Sequence, residues 1–217
     1  MQRIVLRMPA AFTFRAGQYL EVLHPDGPIP LSIASGPARL PALHLHYRST
    51  PGVADATRMD ELLAAAVEPG ATLDVRGPGG DVSLPDTLPA PALIVAGGTG
   101  IAQALSFIDA FTGQDPGERV TVLWCADRDE DFYLGAELDA LKFDWLQVVR
   151  IADPARGPDN RGLVWLREQA AALLTADSPV VLAGGPPFVH AACDVLIDAG
   201  VELARMQSDV FSYAPRG

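Results

Sequence analysis

The feature that most restricts the fold is an alternation of apolar strands and helical segments in the second half of the chain. Four strands, ALIVAG, VTVLWCA, LQVVRIA and VVLAGG, are each followed by a segment with helical periodicity. Strands that are apolar along their whole length are typical of a parallel sheet buried on both faces. The second half is therefore predicted to be a doubly wound parallel α/β domain.

The first half has a different pattern, in which short apolar runs alternate with glycine and proline turns. The runs are QRIVLRM, QYLEVLH, LSIAS, ALHLHYR and TLDVR. Short strands at this spacing indicate a small antiparallel β-barrel or sandwich. A proline-rich connector at 84–91 separates the two patterns, so we expect two domains, at 1–88 and 89–217.

One helix interrupts the predicted strands of the first half, at residues 54–67. It is predicted because four apolar side chains of this segment would share one helical face. They are Met59, Leu62, Leu63 and Ala66.

Composition excludes several classes of function. The chain has 16 Lys and Arg against 27 Asp and Glu, and its net charge is −11 without a basic cluster. Binding to nucleic acid or to an anionic membrane is therefore not expected. Cys125 and Cys193 are too far apart in sequence to suggest a disulfide scaffold, an iron–sulfur site or a zinc site. Arginines interrupt the N-terminal apolar runs, which leaves no signal-peptide core and predicts a cytoplasmic protein.

An uncharged segment at residues 87–108 is long enough to cross a bilayer. Prolines and glycines interrupt this segment repeatedly. We therefore predict that it forms a strand, a loop and a buried helix of a soluble domain.

Two glycine turns follow apolar strands of the second half. Gly97-Gly98-Thr99-Gly100 precedes a helix, in a position where backbone amides and the helix dipole attract phosphate. We interpret it as a phosphate site, although a tight turn without a ligand has the same pattern. Gly184-Gly185-Pro186 would flank the same crevice, but proline in the first helical turn is also ordinary helix initiation.

Asp127 and Arg128 follow the second apolar strand of the α/β half. An acidic residue in this place binds a ribose 2′-hydroxyl, whereas a 2′-phosphate would need an arginine without acidic neighbours. A solvated loop is the alternative interpretation of this charged segment.

No metal site and no nucleophile are expected. His44 and His46 lie two apart on a predicted strand, but no further ligand stands at metal-binding spacing. The Gly-x-Ser-x-Gly motif is missing, and both cysteines lie within apolar segments, so nothing supports a nucleophilic mechanism.

Six segments resemble the ferredoxin–NADP reductase superfamily in order and spacing: AFTFRAGQYLEVL, PLSIAS, LIVAGGTGIA, LWCADRDEDFY, LAGGPPFV and SDVFSY. Bacterial NAD(P)H:flavin oxidoreductases and the reductase modules of ring-hydroxylating oxygenases look most similar. The resemblance covers almost the whole chain. It implies a flavin-binding β-barrel at 1–88 and a nicotinamide-binding α/β domain at 89–217, with the two rings stacked where the domains meet.

The resemblance also implies the flavin-binding residues Pro30, Leu31 and Ser32. Ser32 matches the serine whose hydroxyl lies near flavin N5, and it is the expected catalytic residue. Ile29 and Leu31 replace the family's arginine and aromatic residue, and Ala56 stands where a phosphate-binding serine is expected. These departures favour a site that binds mainly the isoalloxazine ring of free or loosely held FMN, FAD or riboflavin.

In the second half, the resemblance implies that Gly97–Gly100 and Gly184–Pro186 bind the nicotinamide cofactor. Asp127 replaces a common arginine near the adenosine, which favours NADH over NADPH, although the adjacent Arg128 weakens this inference. The C-terminal residues Phe211 and Tyr213 match an aromatic region that covers the flavin, with a packed terminal strand as the alternative.

Three functions follow from this resemblance. The first is a flavin reductase that passes hydride from NAD(P)H, preferably NADH, to flavin. The second is the FAD-containing reductase component of an oxygenase, with an iron–sulfur or oxygenase partner protein. The third is a degenerate nucleotide-binding domain without redox activity.

The alignment with relatives also suggests an open edge in the first half. Met1 aligns inside the second barrel strand of these relatives, so the first strand is expected to be missing. This would leave a barrel edge that is either exposed or covered by a partner.

Overall fold

The computed structural model describes residues 1–50, 52–66 and 70–216. Its strands are β1 (Gln2–Arg7), β2 (Tyr19–Val22), β3 (Ile29–Ser32), β4 (Ala42–Tyr47), β5 (Val75–Gly79), β6 (Ala92–Gly97), β7 (Val120–Ala126), β8 (Leu146–Ala152), β9 (Val180–Ala183) and β10 (Met206–Gln207). Its helices are α1 (Ala54–Ala65), α2 (Ile101–Phe111), α3 (Gly135–Ala140), α4 (Arg161–Leu173), α5 (Pro186–Asp198) and α6 (Val210–Tyr213).

The second half forms a five-stranded sheet with the order β10-β9-β6-β7-β8. Every neighbouring pair of strands is parallel. The chain runs from β6 to β8 on one side of the sheet and returns to β9 on the other side of β6. The carboxyl ends of β6 and β9 therefore frame a crevice at the point where the strand order reverses, which is where open α/β sheets bind ligands.

Helices cover both faces of this sheet, which confirms the predicted doubly wound arrangement. On one face α2 packs its Ile101, Phe107 and Phe111 against the strands. On the other face Leu166 of α4 and Val189 of α5 lie in a separate core. β7 is buried at all of its positions, and this burial on both faces explains its uninterrupted apolar sequence.

The first half contains two antiparallel sheets, which confirms the antiparallel architecture predicted for it. β1 pairs with β4, and β2 pairs with both β3 and β5. Among the described residues, an isolated antiparallel bridge between Ile33, which follows β3, and Leu45 of β4 joins the two sheets. Within the described ranges no ladder closes these strands into a barrel.

The predicted helix of the first half is α1. Met59 is fully buried in the core of the antiparallel sheets, and Leu62 and Leu63 pack against it. The helix ends at Ala65, Ala66 is its half-buried C-cap, and Val67 lies outside the described residues.

The two halves meet along α2. Gln103 donates a hydrogen bond to the carbonyl of Gly17, and the Ser106 hydroxyl donates to the carbonyl of Ser35. Asp109 accepts hydrogen bonds from the Arg39 guanidinium and, at 2.7 Å, from a backbone N–H of the first half. These polar contacts hold the antiparallel sheets above the crevice of the parallel sheet.

Residues 87–108 contribute β6, a 3₁₀ turn and most of α2. In the ranges that the structure describes, we find no helix with the length and apolar character that a membrane crossing requires.

Candidate functional site

Three adjoining cavities lie where the carboxyl ends of β6 and β9 face the antiparallel sheets. The glycine cleft, of about 360 Å³, is lined among others by Gly97, Gly98, Asp127, Arg156 and Gly185. The serine cleft, of about 280 Å³, is lined among others by Ser32, Gly100, Gly184, Asp209 and Tyr213. The junction cleft, of about 330 Å³, is lined among others by Ile29, Arg48, Asp55 and Ala56.

The cavities adjoin, because they share lining residues. Gly97 and Gly98 line both the glycine cleft and the junction cleft. Leu31 and Thr99 line both the junction cleft and the serine cleft. A ligand that extends from one cavity into the next would therefore pass the turn at 97–99.

The turn after β6 presents open backbone to this path. Gly98 has a φ of +55°, and a side chain at this position would meet no atom within 4 Å. The indole N–H of Trp124, a fully buried residue of β7, donates a hydrogen bond of 2.9 Å to the carbonyl of Gly98. The hydrogen bond from Trp124 thus attaches the turn to the sheet, and Gly98 lines the glycine and junction clefts.

The second glycine turn touches the first. A Cβ on Gly100 would lie 2.5 Å from the carbonyl oxygen of Ala183, and a Cβ on Gly184 would lie 3.1 Å from that of Gly97. Only residues without side chains allow the two turns to approach this closely. Gly184 lines the serine cleft and Gly185 the glycine cleft, whereas Pro186 starts α5 without lining a cleft.

Asp127 lies at the rim of the glycine cleft in a bidentate ion pair with Arg156. The two nitrogen–oxygen distances are 2.9 and 3.0 Å. The hydrogen bond from Arg156 holds the pKa of Asp127 below its usual range, although partial burial opposes this shift. Arg128 does not line the glycine cleft; its guanidinium lies 3.7 Å from Glu130 and 3.8 Å from Asp131.

The predicted flavin-binding residues lie on β3. Pro30 and Leu31 line both the serine and the junction cleft, while Ser32 lines the serine cleft and is half-buried. Ile29 is 3% exposed and adds only apolar surface to the junction cleft.

The C-terminal aromatic residues form the short helix α6 and not a terminal strand. Tyr213 is 63% exposed and lines the serine cleft. Phe211 points elsewhere: its ring stacks on His190 with centroids 6.4 Å apart and packs against the core beneath α5. The structure therefore brings Tyr213, but not Phe211, to the predicted site.

Asp209 is a residue of the serine cleft that the sequence interpretation missed. It accepts a hydrogen bond of 3.0 Å from Gln103, and burial raises the pKa of its carboxyl group. In the segment SDVFSY, a role is predicted only for the aromatic residues. The acidic residue of the same segment is the signal from which Asp209 could have been predicted as a cleft residue.

Arg48 and His46 were also missed as cleft residues. They lie at the end of β4, where Arg48 lines the glycine and junction clefts and His46 the junction and serine clefts. The His46 ring forms a hydrogen bond with the Tyr133 hydroxyl, and this bond links the two halves of the chain.

Cys125 lines the glycine cleft, where burial raises the pKa of its thiol to about 12.

Comparison with known proteins supports a single family. Residues 94–194 match the family described as "Oxidoreductase NAD-binding domain". Reductase component 1 of terephthalate 1,2-dioxygenase from Comamonas sp. is 29% identical over 222 residues, covering 98% of this chain and 64% of that protein. A protein of Vibrio harveyi named "Probable flavin reductase" is 29% identical over 216 residues, covering 97% of this chain and 93% of that protein.

A solved structure shares the fold. A ferredoxin NADP⁺ reductase from Neisseria gonorrhoeae, with bound FAD and NADP, superimposes with a TM-score of 0.67 at 18% identity. The match covers 95% of this chain and 91% of that one. The chain spans about two thirds of the terephthalate reductase component, 64% by length, and nearly all of the Vibrio protein. With its parallel sheet, its antiparallel sheets and these relatives, the chain belongs to the ferredoxin–NADP reductase-like family.

Proposed function

We propose that this protein transfers hydride from NADH to a flavin that it binds loosely. The observation that carries the proposal is the wall that the clefts share, since the turn Gly97–Thr99 borders all three of them. A dinucleotide in the glycine cleft would pass this turn and reach the serine cleft, where Ser32 lies. The flavin reductase name of the Vibrio harveyi relative, matched over 93% of its length, supports this activity.

The glycine cleft fits a dinucleotide. The open backbone at Gly98 leaves space for a phosphate to approach the main chain at the start of α2, where amides and the helix dipole favour an anion. Asp127 offers a carboxylate to ribose hydroxyls at the far rim.

The serine cleft fits an uncharged ring better than a phosphate. Leu31 and Val210 supply apolar surface, whereas Glu21 and Asp209 line the cleft with carboxyl groups. Among the described residues that line it, none is Arg or Lys. An isoalloxazine ring needs no counter-charge there, and few contacts in this cleft would retain a flavin phosphate, so weak flavin binding is expected.

The nicotinamide and the flavin supply the hydride chemistry when both are bound. The chain contributes orientation and the exclusion of water. Ser32 presents a hydroxyl to the serine cleft from the end of β3, where it would donate a hydrogen bond to a ring nitrogen of a bound flavin. Tyr213 lies at the exposed side of the same cleft and limits the access of solvent.

A preference for NADH is part of this proposal. Asp127 is kept ionised by Arg156, and its negative charge would repel a 2′-phosphate. Both terminal nitrogens of Arg156 already bind Asp127, so a 2′-phosphate would have to break this pair to gain a cation.

The test is a flavin-dependent NADH oxidase assay with the purified full chain. We expect the absorbance at 340 nm to fall when NADH is mixed with catalytic protein and FMN, riboflavin or FAD, and to stay constant without protein. NADH that is not oxidised with any of the three flavins would refute the proposal. Nucleotide binding by calorimetry in that case would select the non-redox alternative.

A second candidate is the reductase component of an oxygenase, as the name of the Comamonas relative indicates for that protein. Such a component would retain FAD and pass electrons to an iron–sulfur partner. The absorption spectrum before any flavin is added separates the two candidates: a colourless protein supports the flavin reductase, and a yellow one supports the oxygenase component.

A further inference from the structure

The junction cleft contains one arginine to which the proposed hydride transfer assigns no role, although this residue also lines the glycine cleft. Arg48 follows β4 directly and lines the junction cleft together with Ile29 and Ala56. Among the described residues that line the junction and serine clefts, Arg48 is the only Arg or Lys. Any anionic group that enters these two cavities therefore meets its single strong cation here.

The guanidinium of Arg48 is oriented from the other half of the chain. It donates a hydrogen bond of 2.9 Å to Asp131, whose side chain is only 11% exposed. Among the hydrogen bonds of the described residues, this one uses a single N–H of the five that a guanidinium carries. The ion pair thus fixes the side chain and leaves donors in the planar geometry that suits a phosphate.

The acidic residue that lines the junction cleft is already paired. Asp55 lines the junction cleft but forms an ion pair with Arg58 on the same helix. Ile29 adds no charge and is buried. Asp131 offsets part of the charge of Arg48, so what Arg48 offers a phosphate in the cleft is chiefly the N–H donors that this pair does not use.

We propose that Arg48 binds the phosphate of FMN, so that the protein binds FMN more tightly than riboflavin. This inference rests on the proposed function, because it takes the serine cleft as the site of the flavin ring. Leu31 lines both cavities. The side chain of a flavin whose ring lies in the serine cleft would therefore extend past Leu31 into the junction cleft. The phosphate at the end of the flavin side chain would then lie in the junction cleft, which Arg48 lines.

The test compares FMN and riboflavin, which differ only in the phosphate, by quenching of flavin fluorescence. The wild-type chain is expected to bind FMN roughly tenfold more tightly, the effect of one charge-assisted hydrogen bond. Arg48→Ala should raise the Kd of FMN to that of riboflavin and leave the Kd of riboflavin within twofold. Arg48→Lys should retain part of the preference, because it keeps the charge but loses the planar donors.

Arg7→Ala is the matched control, because Arg7 is an exposed arginine on β1 that lines none of the three clefts. It removes the same charge and should leave the FMN preference unchanged. Equal wild-type affinities for FMN and riboflavin would overturn the inference, as would an Arg48→Ala variant that weakens both flavins equally. An increase confined to the KM of NADH would also overturn it, since the arginine would then serve the dinucleotide. The NADH oxidation rate with riboflavin reports separately on the proposed function.

Discussion

His46 on β4 and Tyr133 after β7 form a hydrogen bond of 2.9 Å between the imidazole Nδ1 and the phenol oxygen. The two rings meet edge to face with centroids 5.5 Å apart, and the pair joins the two halves of the chain beside the clefts. Burial, with smaller contributions from Arg3 and His44, lowers the pKa of His46 to about 4. Burial also raises the pKa of Tyr133, so both side chains are neutral at pH 7.

This pair predicts a loss of stability in mild acid. The folded-state pKa of His46 lies below its ordinary value of about 6.5, so the unfolded chain binds the proton more readily. The stabilisation is complete above pH 6.5 and is lost as the pH falls toward 4. Between pH 7.5 and 5.5 we expect His46 to account for about 1 kcal/mol of the decrease in the free energy of unfolding. Urea unfolding of the wild type and His46→Asn at both pH values measures this share, and equal decreases in the two proteins would contradict it.

Ser32→Ala should slow hydride transfer without preventing flavin binding. Removing one hydrogen bond of about 1 kcal/mol predicts a roughly fivefold lower rate of flavin reduction in stopped-flow mixing. The Kd of riboflavin should change little, because apolar surface supplies most of that affinity. Ser32→Thr keeps the hydroxyl and should restore much of the rate; a threonine variant as slow as the alanine variant would argue against a role for the hydroxyl.

Gly98→Ala and Gly113→Ala form a matched pair. Both glycines have a positive φ, +55° and +90°, and a Cβ on either would meet no atom within 4 Å. Each substitution should cost about 1 kcal/mol of stability through backbone strain. Only the methyl group at position 98 would occupy the clefts, so only this variant should raise the KM of NADH, by roughly tenfold. A similar KM increase in both variants would assign the effect to strain.

Asp127→Asn should relax the preference for NADH. Loss of one charge near the 2′ position is worth about 1 kcal/mol in water, which predicts a roughly fivefold rise in kcat/KM for NADPH relative to NADH. Asp86→Asn removes an equal charge from an exposed residue outside the clefts and should leave the ratio unchanged. The two ratios are measured from initial rates at 340 nm with riboflavin as acceptor.

Asp209→Asn should stabilise the protein at pH 7. Because burial raises the pKa of Asp209 above its unfolded value, folding becomes less favourable as the pH rises through that range. An amide removes this cost at pH 7 and still accepts the hydrogen bond from Gln103, so Tm should rise by roughly 2 °C. Asp81→Asn, at an exposed neighbour, should produce a smaller increase. Equal Tm values for Asp209→Asn and the wild type at pH 7 would contradict the assigned burial cost.

Local sequence pattern was sufficient for the parallel sheet and its glycine turns. β6, β7 and β9 are apolar at almost every position because both faces of each strand are buried, and this requirement is visible in every residue of the run. The turns after β6 and β9 were predictable for the same reason, since they begin where the apolar runs end. Whether the antiparallel strands form a barrel or a sandwich could not be predicted in this way, because it depends on how far separate strands run side by side, and β3 is only four residues long.

The polar partners of the clefts depended on the tertiary structure. Arg48 and Asp131 are 83 residues apart, and Asp127 and Arg156 are 29 apart, so no short motif contains either pair. Gln103 joins Asp209 across 106 residues for the same reason. The burial of a strand can be predicted from its own sequence, because its residues are apolar. An ion pair or a shared cleft wall forms only when distant segments pack together.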